Sequence, residues 1–174
     1  MVFEVKQLGE DDTFGVVKDP STPVLKQGDR IRSKIGAARK QIQFGADQGI
    51  PLVLLVYNNI DPLYMSGTED MDLIAAMYGE YTLLLDTKTL TTIDSFQGRN
   101  CMMAGWKNTS SAERKNTSFG AVGRLYTIRG KVTVTLFDNV FSKVTIPYDV
   151  LPPCFEVNKV EITYSEHVYP RGGS

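Results

Sequence analysis

The chain carries one histidine (His167), two cysteines (Cys101 and Cys154) and one tryptophan in 174 residues. A single histidine excludes a His-rich zinc centre and a metalloprotease helix of the H-E-x-x-H kind. A Ser-His-Asp triad would have to recruit His167, and no G-x-S-x-G turn exists to present its serine. Walker A and G-x-G-x-x-G loops are also missing. Two cysteines do not make a disulfide framework and read as free thiols. Neither charge sign dominates: 19 Lys+Arg face 20 Asp+Glu, for a net charge of −1. No global basic field draws the chain to nucleic acid, so any such site must be local. The densest apolar run, Pro51 to Tyr57, is far short of the roughly 20 residues a membrane helix needs. Charges at Glu4 and Lys6 interrupt what would be the apolar core of a signal peptide. The expectation is a cytoplasmic chain with no membrane partner.

The composition is that of a globular domain, with 42% hydrophobic and 22% charged residues. One domain is expected over 1–168, with a disordered tail over 169–174. Residues 2–6 read as a strand, with Phe3 and Val5 on one face and Val2, Glu4 and Lys6 on the other. A polar loop rich in Gly, Asp and Pro follows over 9–29. Residues 30–47 form the clearest helix, with Asp29 as N-cap and Ile31, Ile35, Ala38 and Ile42 as its apolar stripe. Leu52 to Tyr57 is β-rich and apolar throughout, as a strand buried on both faces would be. Strand, helix, strand makes a βαβ unit.

The second half reads mainly as β, including the runs Leu73 to Tyr78 and Tyr81 to Leu85. Residues 94–117 look irregular. Ser118 to Tyr126 is ambiguous, because Gly120 and Gly123 weaken helix and strand alike. Val132 to Leu136 alternates as a half-buried strand, Val144 and Ile146 follow a turn, and Val160 to Tyr164 reads as the last strand. The fold class is therefore α/β (α+β), with a mixed sheet of about five to seven strands and one main amphipathic helix.

The chemistry concentrates at Glu4-Val5-Lys6. Side chains two apart on a strand share a face about 7 Å apart, so Glu4 and Lys6 can serve one site. A carboxylate there can hold Mg²⁺, and the ammonium can orient water or stabilise a phosphate.

Around that pair, Lys34-Ile35-Gly36-Ala37-Ala38-Arg39-Lys40-Gln41, then Val53-Leu54-Leu55-Val56-Tyr57-Asn58, resembles the core of PD-(D/E)XK nuclease-like proteins, which have the restriction-endonuclease-like fold. The chain looks closest to a bacterial group with a Glu-Val-Lys strand, a Lys-Ile-x-x-Ala-x-x-Gln helix and a Val-Leu-Val-x-x-Asn strand. Ala75-Ala76-Met77-Tyr78-Gly79 resembles that group's Gly-Ala-Met-Tyr-Gly, and Asn116-Thr117-Ser118 its Asn-Thr-Ser-x-x-Ala. The similarity spans residues 3 to about 150.

The resemblance implies Glu4 as metal ligand, Lys6 as catalytic lysine, and Gln41 as a helix residue facing the site, with Lys34 two turns before it on nearly the same face. Arg30 could add a phosphate contact. The implied cofactor is Mg²⁺ and the implied partner nucleic acid. The family's first metal ligand, an Asp on a strand before Glu-x-Lys, has no counterpart. Asp11 and Asp12 lie after the strand, out of position. Three readings stay open: a fragment, an inactive descendant, or a chain completed by another, such as a homodimer. Whether the chain is an enzyme stays open too. The expectation is a nuclease-like protein, incomplete or inactive in isolation, with a non-enzymatic α+β module binding small molecules or proteins as the alternative. The eight Tyr and eight Phe would serve that second reading.

Overall fold

The computed structural model describes residues 1–9, 27–59, 67–99, 101–108 and 111–161. Strand β1 (Val2–Leu8), helix α1 (Asp29–Asp47) and strand β2 (Leu52–Asn58) follow the order read from the sequence. Strands β1 and β2 pair in parallel, Val2 opposite Leu52 through Leu8 opposite Asn58. Ile31, Ile35, Ala38 and Ile42 are all buried, as their spacing predicts. The loop expected over 9–29 falls largely outside the described residues.

The start of α1 differs in one detail. Its N-cap is Gly28, at φ 79°, and Asp29 is already helical. The reason is tertiary. Helix α2 (Asp70–Tyr78) packs so close that a Cβ on residue 28 would lie 2.7 Å from Asp72 O and 2.8 Å from Ala76 N. Only glycine satisfies both the positive φ and the close approach. Asp29 instead accepts from Arg32 Nε at 3.0 Å within the first turn, where a carboxylate also offsets the helix dipole.

Helix α2 is a second departure. The run Leu73 to Tyr78, read as β, is helical and carries a capping box in which Glu69 N donates to Asp72 Oδ2 at 3.2 Å. A short apolar run buried against other elements has no periodicity that separates strand from helix. The described residues thus hold two main helices rather than one. Much of the stretch 94–117, read as irregular, is strand: β3 (Glu80–Leu85) pairs antiparallel with β4 (Thr92–Arg99), and β5 (Ala104–Asn108) with β6 (Ser111–Arg114).

Ser118 to Tyr126 resolves as β7 (Ala121–Ile128). It lies parallel to β2 and antiparallel to β8 (Lys131–Asp138). The last strand is β9 (Phe155–Asn158), parallel to β8. Val160 lies beyond it in no strand, Ile162 and Tyr164 lie outside the described residues, and Val144 and Ile146 form no strand. Among the described residues the result is a mixed five-stranded sheet, β1-β2-β7-β8-β9, plus two hairpins. The α/β class and strand number are as expected.

Two cores hold the sheet. On one face Leu8, Leu52, Leu54, Val56 and Val122 pack under both helices. On the other, Val53, Leu55, Ala121, Val134 and Leu136 are covered by Ile146, with Tyr148 and Leu151 of the segment after β8 packed against them. Strand β2 is therefore buried on both faces. Each such aliphatic side chain contributes roughly 1.5–3 kcal/mol. Phe3 on β1 and Phe155 on β9 bring their rings to 5.6 Å. In a flat sheet these edge strands would stand about 19 Å apart, so the sheet curls around the second core.

Candidate functional site

Strand period and helix stripe converge on one small cluster. Leu8 faces α1 from β1, so Lys6 and Glu4, at period two, lie on the same face. Lys6 Nζ meets Glu4 Oε1 at 2.9 Å and donates to Gln41 Oε1, on α1, at 2.7 Å. The side chains of Lys6 and Glu4 are 23% and 28% exposed, and Gln41 is exposed. The cluster thus sits at the surface, where helix and edge strand meet. Such an exposed pair is worth no more than about 1 kcal/mol to folding, so its geometry is not required for stability.

The ammonium has three donors, and these two oxygens take two of them. The third, with the Gln41 amide N–H groups, can serve an incoming anionic oxygen. Arg39 and Lys40 are exposed on α1, but two and one positions from Gln41 they project from other faces of the helix, so the positive charge shown at the cluster is that of Lys6. Lys34 is half-buried on the same helix, about 10 Å along the axis from Gln41. It stands outside the hydrogen-bonded trio. Asp11, Asp12 and His167 lie outside the described residues.

Among the described residues no group of three metal-ligating side chains comes together. Glu4, the one carboxylate that the described residues bring to the cluster, is already engaged by Lys6. Mg²⁺ usually takes one or two carboxylates together with substrate phosphates, so an ion-paired Glu4 alone does not fit it.

The other motifs behind the family resemblance have structural work to do. Tyr78 OH donates to Asp138 O, and Val140 N donates back to Tyr78 OH at 3.2 Å. Gly79 ends α2 at φ 93°. Asn116, at φ 49°, donates from Nδ2 to Met102 O at 2.6 Å. These residues tie α2 and the hairpins to the ends of β7 and β8; they are not part of the Glu4 cluster.

Two arginines were missed by sequence reading. Arg32 donates to Ala75 O at 3.0 Å and to Gln27 O, and pairs with Asp29 and Glu80. It clamps α1 to the end of α2. Arg124 pairs with Asp70 at 2.7 Å, donates to Thr68 O at 3.2 Å and lies 5.2 Å over the Tyr126 ring. It anchors the start of α2 to β7. The contacts that give them these roles are distant in sequence, 43 and 48 positions for Arg32 with Ala75 and Glu80 and 56 for Arg124 with Thr68, so no local pattern marks them.

Tyr78 and Tyr148 converge on Asp138: Tyr148 OH donates to its carboxylate and Tyr78 OH to its carbonyl. Burial pushes both phenols well above the ordinary value of 10.0, and the Asp138 charge adds to the rise. Both should stay protonated in the folded chain when the unfolded chain ionises. Stability from them is complete below pH 10 and is lost as pH climbs through the window above it. Urea titrations from pH 9 to 11 should show the fall. Tyr148→Phe should flatten it, while lowering stability at neutral pH for the lost bond. An unchanged slope in Tyr148→Phe would remove Tyr148 from the account.

No protein-family model, curated protein or solved structure matches this chain. No helix among the described residues is long and apolar enough to cross a membrane.

Proposed function

We propose that this chain is a nuclease-like protein that binds nucleic-acid phosphodiesters at the Glu4–Lys6–Gln41 cluster and does little or no cleavage in isolation. One observation supports the reading above the rest: Lys6 Nζ is held between Glu4 and, 35 positions along the chain from Lys6, Gln41. Lys6 supplies the charge that meets a phosphate oxygen. Gln41 orients the ammonium and adds neutral donors. Glu4 holds Lys6 in place and limits the local charge. Cleavage would need carboxylates beyond Glu4, so no hydrolytic step is assigned to these residues.

Anisotropy of a labelled single-stranded oligonucleotide tests this. Lys6→Ala should weaken binding about tenfold, equivalent to about 1.4 kcal/mol, and lower the salt slope by about 0.7. Its urea midpoint should barely move. Wild-type chain that fails to bind would overturn the proposal. With Mg²⁺ present, the oligonucleotide should remain intact; cleavage abolished by Lys6→Ala would mean that other carboxylates complete a metal site.

A second reading rests on a separate feature. An open groove of about 520 Å³ is lined by Asp70, Met71, Ile74, Tyr81, Val157 and Val160, among others. Its apolar floor suits a non-enzymatic role in binding a small molecule or peptide. None of the cluster residues lines it, so Lys6→Ala would leave such binding untouched.

A further inference from the structure

Strand β1 is an edge strand whose outer side has no pairing partner among the described residues. Which of its groups face outward follows from its bonds to β2. Val2 N donates to Pro51 O at 2.9 Å, and Leu8 O accepts from Asn59 N at 3.3 Å. Even-numbered residues thus spend their backbone groups on β2. Because the direction alternates along a strand, Phe3, Val5 and Gln7 aim their N–H and C=O groups outward. Solvent reaches both faces of the strand: Val2 is 48% exposed and Val5 51%.

From this arrangement we infer that β1 pairs antiparallel with β1 of a second copy of this chain, centred on Val5. Five symmetric registers satisfy the backbone phase, with Phe3, Glu4, Val5, Lys6 or Gln7 on the two-fold axis; those centred on Glu4 or Lys6 oppose like charges across it. Charge selects among them. Centred on Phe3, Glu4 would face the partner's Val2; centred on Gln7, Lys6 would face the partner's Leu8. Centred on Val5, Glu4 faces the partner's Lys6, and Lys6 faces the partner's Glu4. That register also uses every outward group: Val5 bonds the partner's Val5, and Phe3 the partner's Gln7. Glu4 and Lys6 then fall at the non-hydrogen-bonded positions, where opposed side chains lie closest. The exposed Val5 side chain gains an apolar neighbour across the axis.

The two-fold axis stands perpendicular to the sheet, so both copies of α1 lie on one face. The two clusters merge into a strip of alternating charge, Glu4, Lys6 and their counterparts, flanked by two Gln41 amides. Each copy thereby contributes a carboxylate and an ammonium to its partner's site. The pairing rests on hydrogen-bond phase and charge alone, and does not depend on what the site binds.

Charge reversal and recombination test it, with mass followed by light scattering and native mass spectrometry. Wild-type chain should be a dimer across the micromolar range. Glu4→Lys opposes lysines at both positions, and Lys6→Glu opposes glutamates, so each variant alone should dissociate about tenfold more readily. An equimolar mixture should recover the dimer, containing one copy of each variant. Val5→Pro removes the central outward N–H without touching a bond to β2, a position where an edge strand accepts proline. It should be monomeric with an unchanged circular dichroism spectrum. If that variant fails to fold, the recombination result decides by itself. A monomeric wild type would overturn the inference, including one whose Val5 amide is protected from exchange by some other segment. So would a dimer indifferent to both reversals, or a mixture that shows no preference for the mixed pair.

Discussion

Replacing Gly123 by alanine should lower stability by about 3 kcal/mol, and valine should leave little folded protein. Gly123 lies on β7, paired with Leu136 on β8 and Leu55 on β2. A Cβ there would stand 2.3 Å from Thr135 O, 2.8 Å from Leu136 Cδ2 and 3.1 Å from Leu136 Cα. The closest obstacle is backbone, which cannot swing aside as a side chain does. Strand β7 is held on both sides, so relief requires moving β8 away and stretching a ladder of eight residue pairs. Overpacking of a well-filled core costs about 1–3 kcal/mol, occasionally more, and a rigid obstacle puts this case at the upper end. Against a typical total of about 5–15 kcal/mol, that is a large fraction. Urea unfolding should show a lower midpoint with the same slope. A midpoint within error of wild type would mean that β7 and β8 lie farther apart than described.

Asn139→Leu should cost about as much, for the opposite reason: it removes partners rather than adding bulk. Asn139 is 3% exposed at the end of β8. Its Nδ2 donates to Phe119 O at 2.8 Å and Asn116 O at 3.3 Å, and its Oδ1 accepts from Phe141 N at 3.1 Å. Leucine of similar size would strand the Phe119 carbonyl and the Phe141 N–H, while Asn116 O keeps the Phe119 N–H at 3.1 Å. At about 1–3 kcal/mol for each unmet group, a loss of about 3–5 kcal/mol is expected. Asn139→Asp sharpens the test. A carboxylate cannot donate to two carbonyls, so the folded state should favour its protonated form and raise its pKa above the unfolded value. The variant should then be most stable at acid pH and lose stability as pH rises from about 4 toward 7. A pH profile parallel to wild type would show that the side chain does not face those carbonyls.

How much of the site was legible follows from the range of each contact. Glu4 and Lys6 share a face because a strand repeats every two residues, a local rule that needs no other part of the chain. The stripe Ile31, Ile35, Ala38 and Ile42 is equally local, and all four are buried. The run over Leu52 to Tyr57 marked a central strand because only burial on both faces tolerates it. That Gln41 rather than Lys34 meets Lys6 is different. Both lie on α1 at nearly the same angle, and the choice depends on the height at which α1 crosses β1, which the packing of α2 and β2 sets.

The sequence by itself therefore determined β1, α1 and β2, the α/β class and the Glu4–Lys6 face, since each is written in a period of a few residues. Tertiary structure alone decided that Leu73 to Tyr78 is helix, that β7 enters between β2 and β8, and that Gly28 caps α1 where Asp29 was expected. It also decided that the polar stretch after Asp94 forms hairpins, and that β1 and β9 curl until Phe3 meets Phe155. The physical reason is common to these cases. An apolar run or a glycine pair has comparable local free energy in several conformations, so burial and close backbone approach by distant residues select among them.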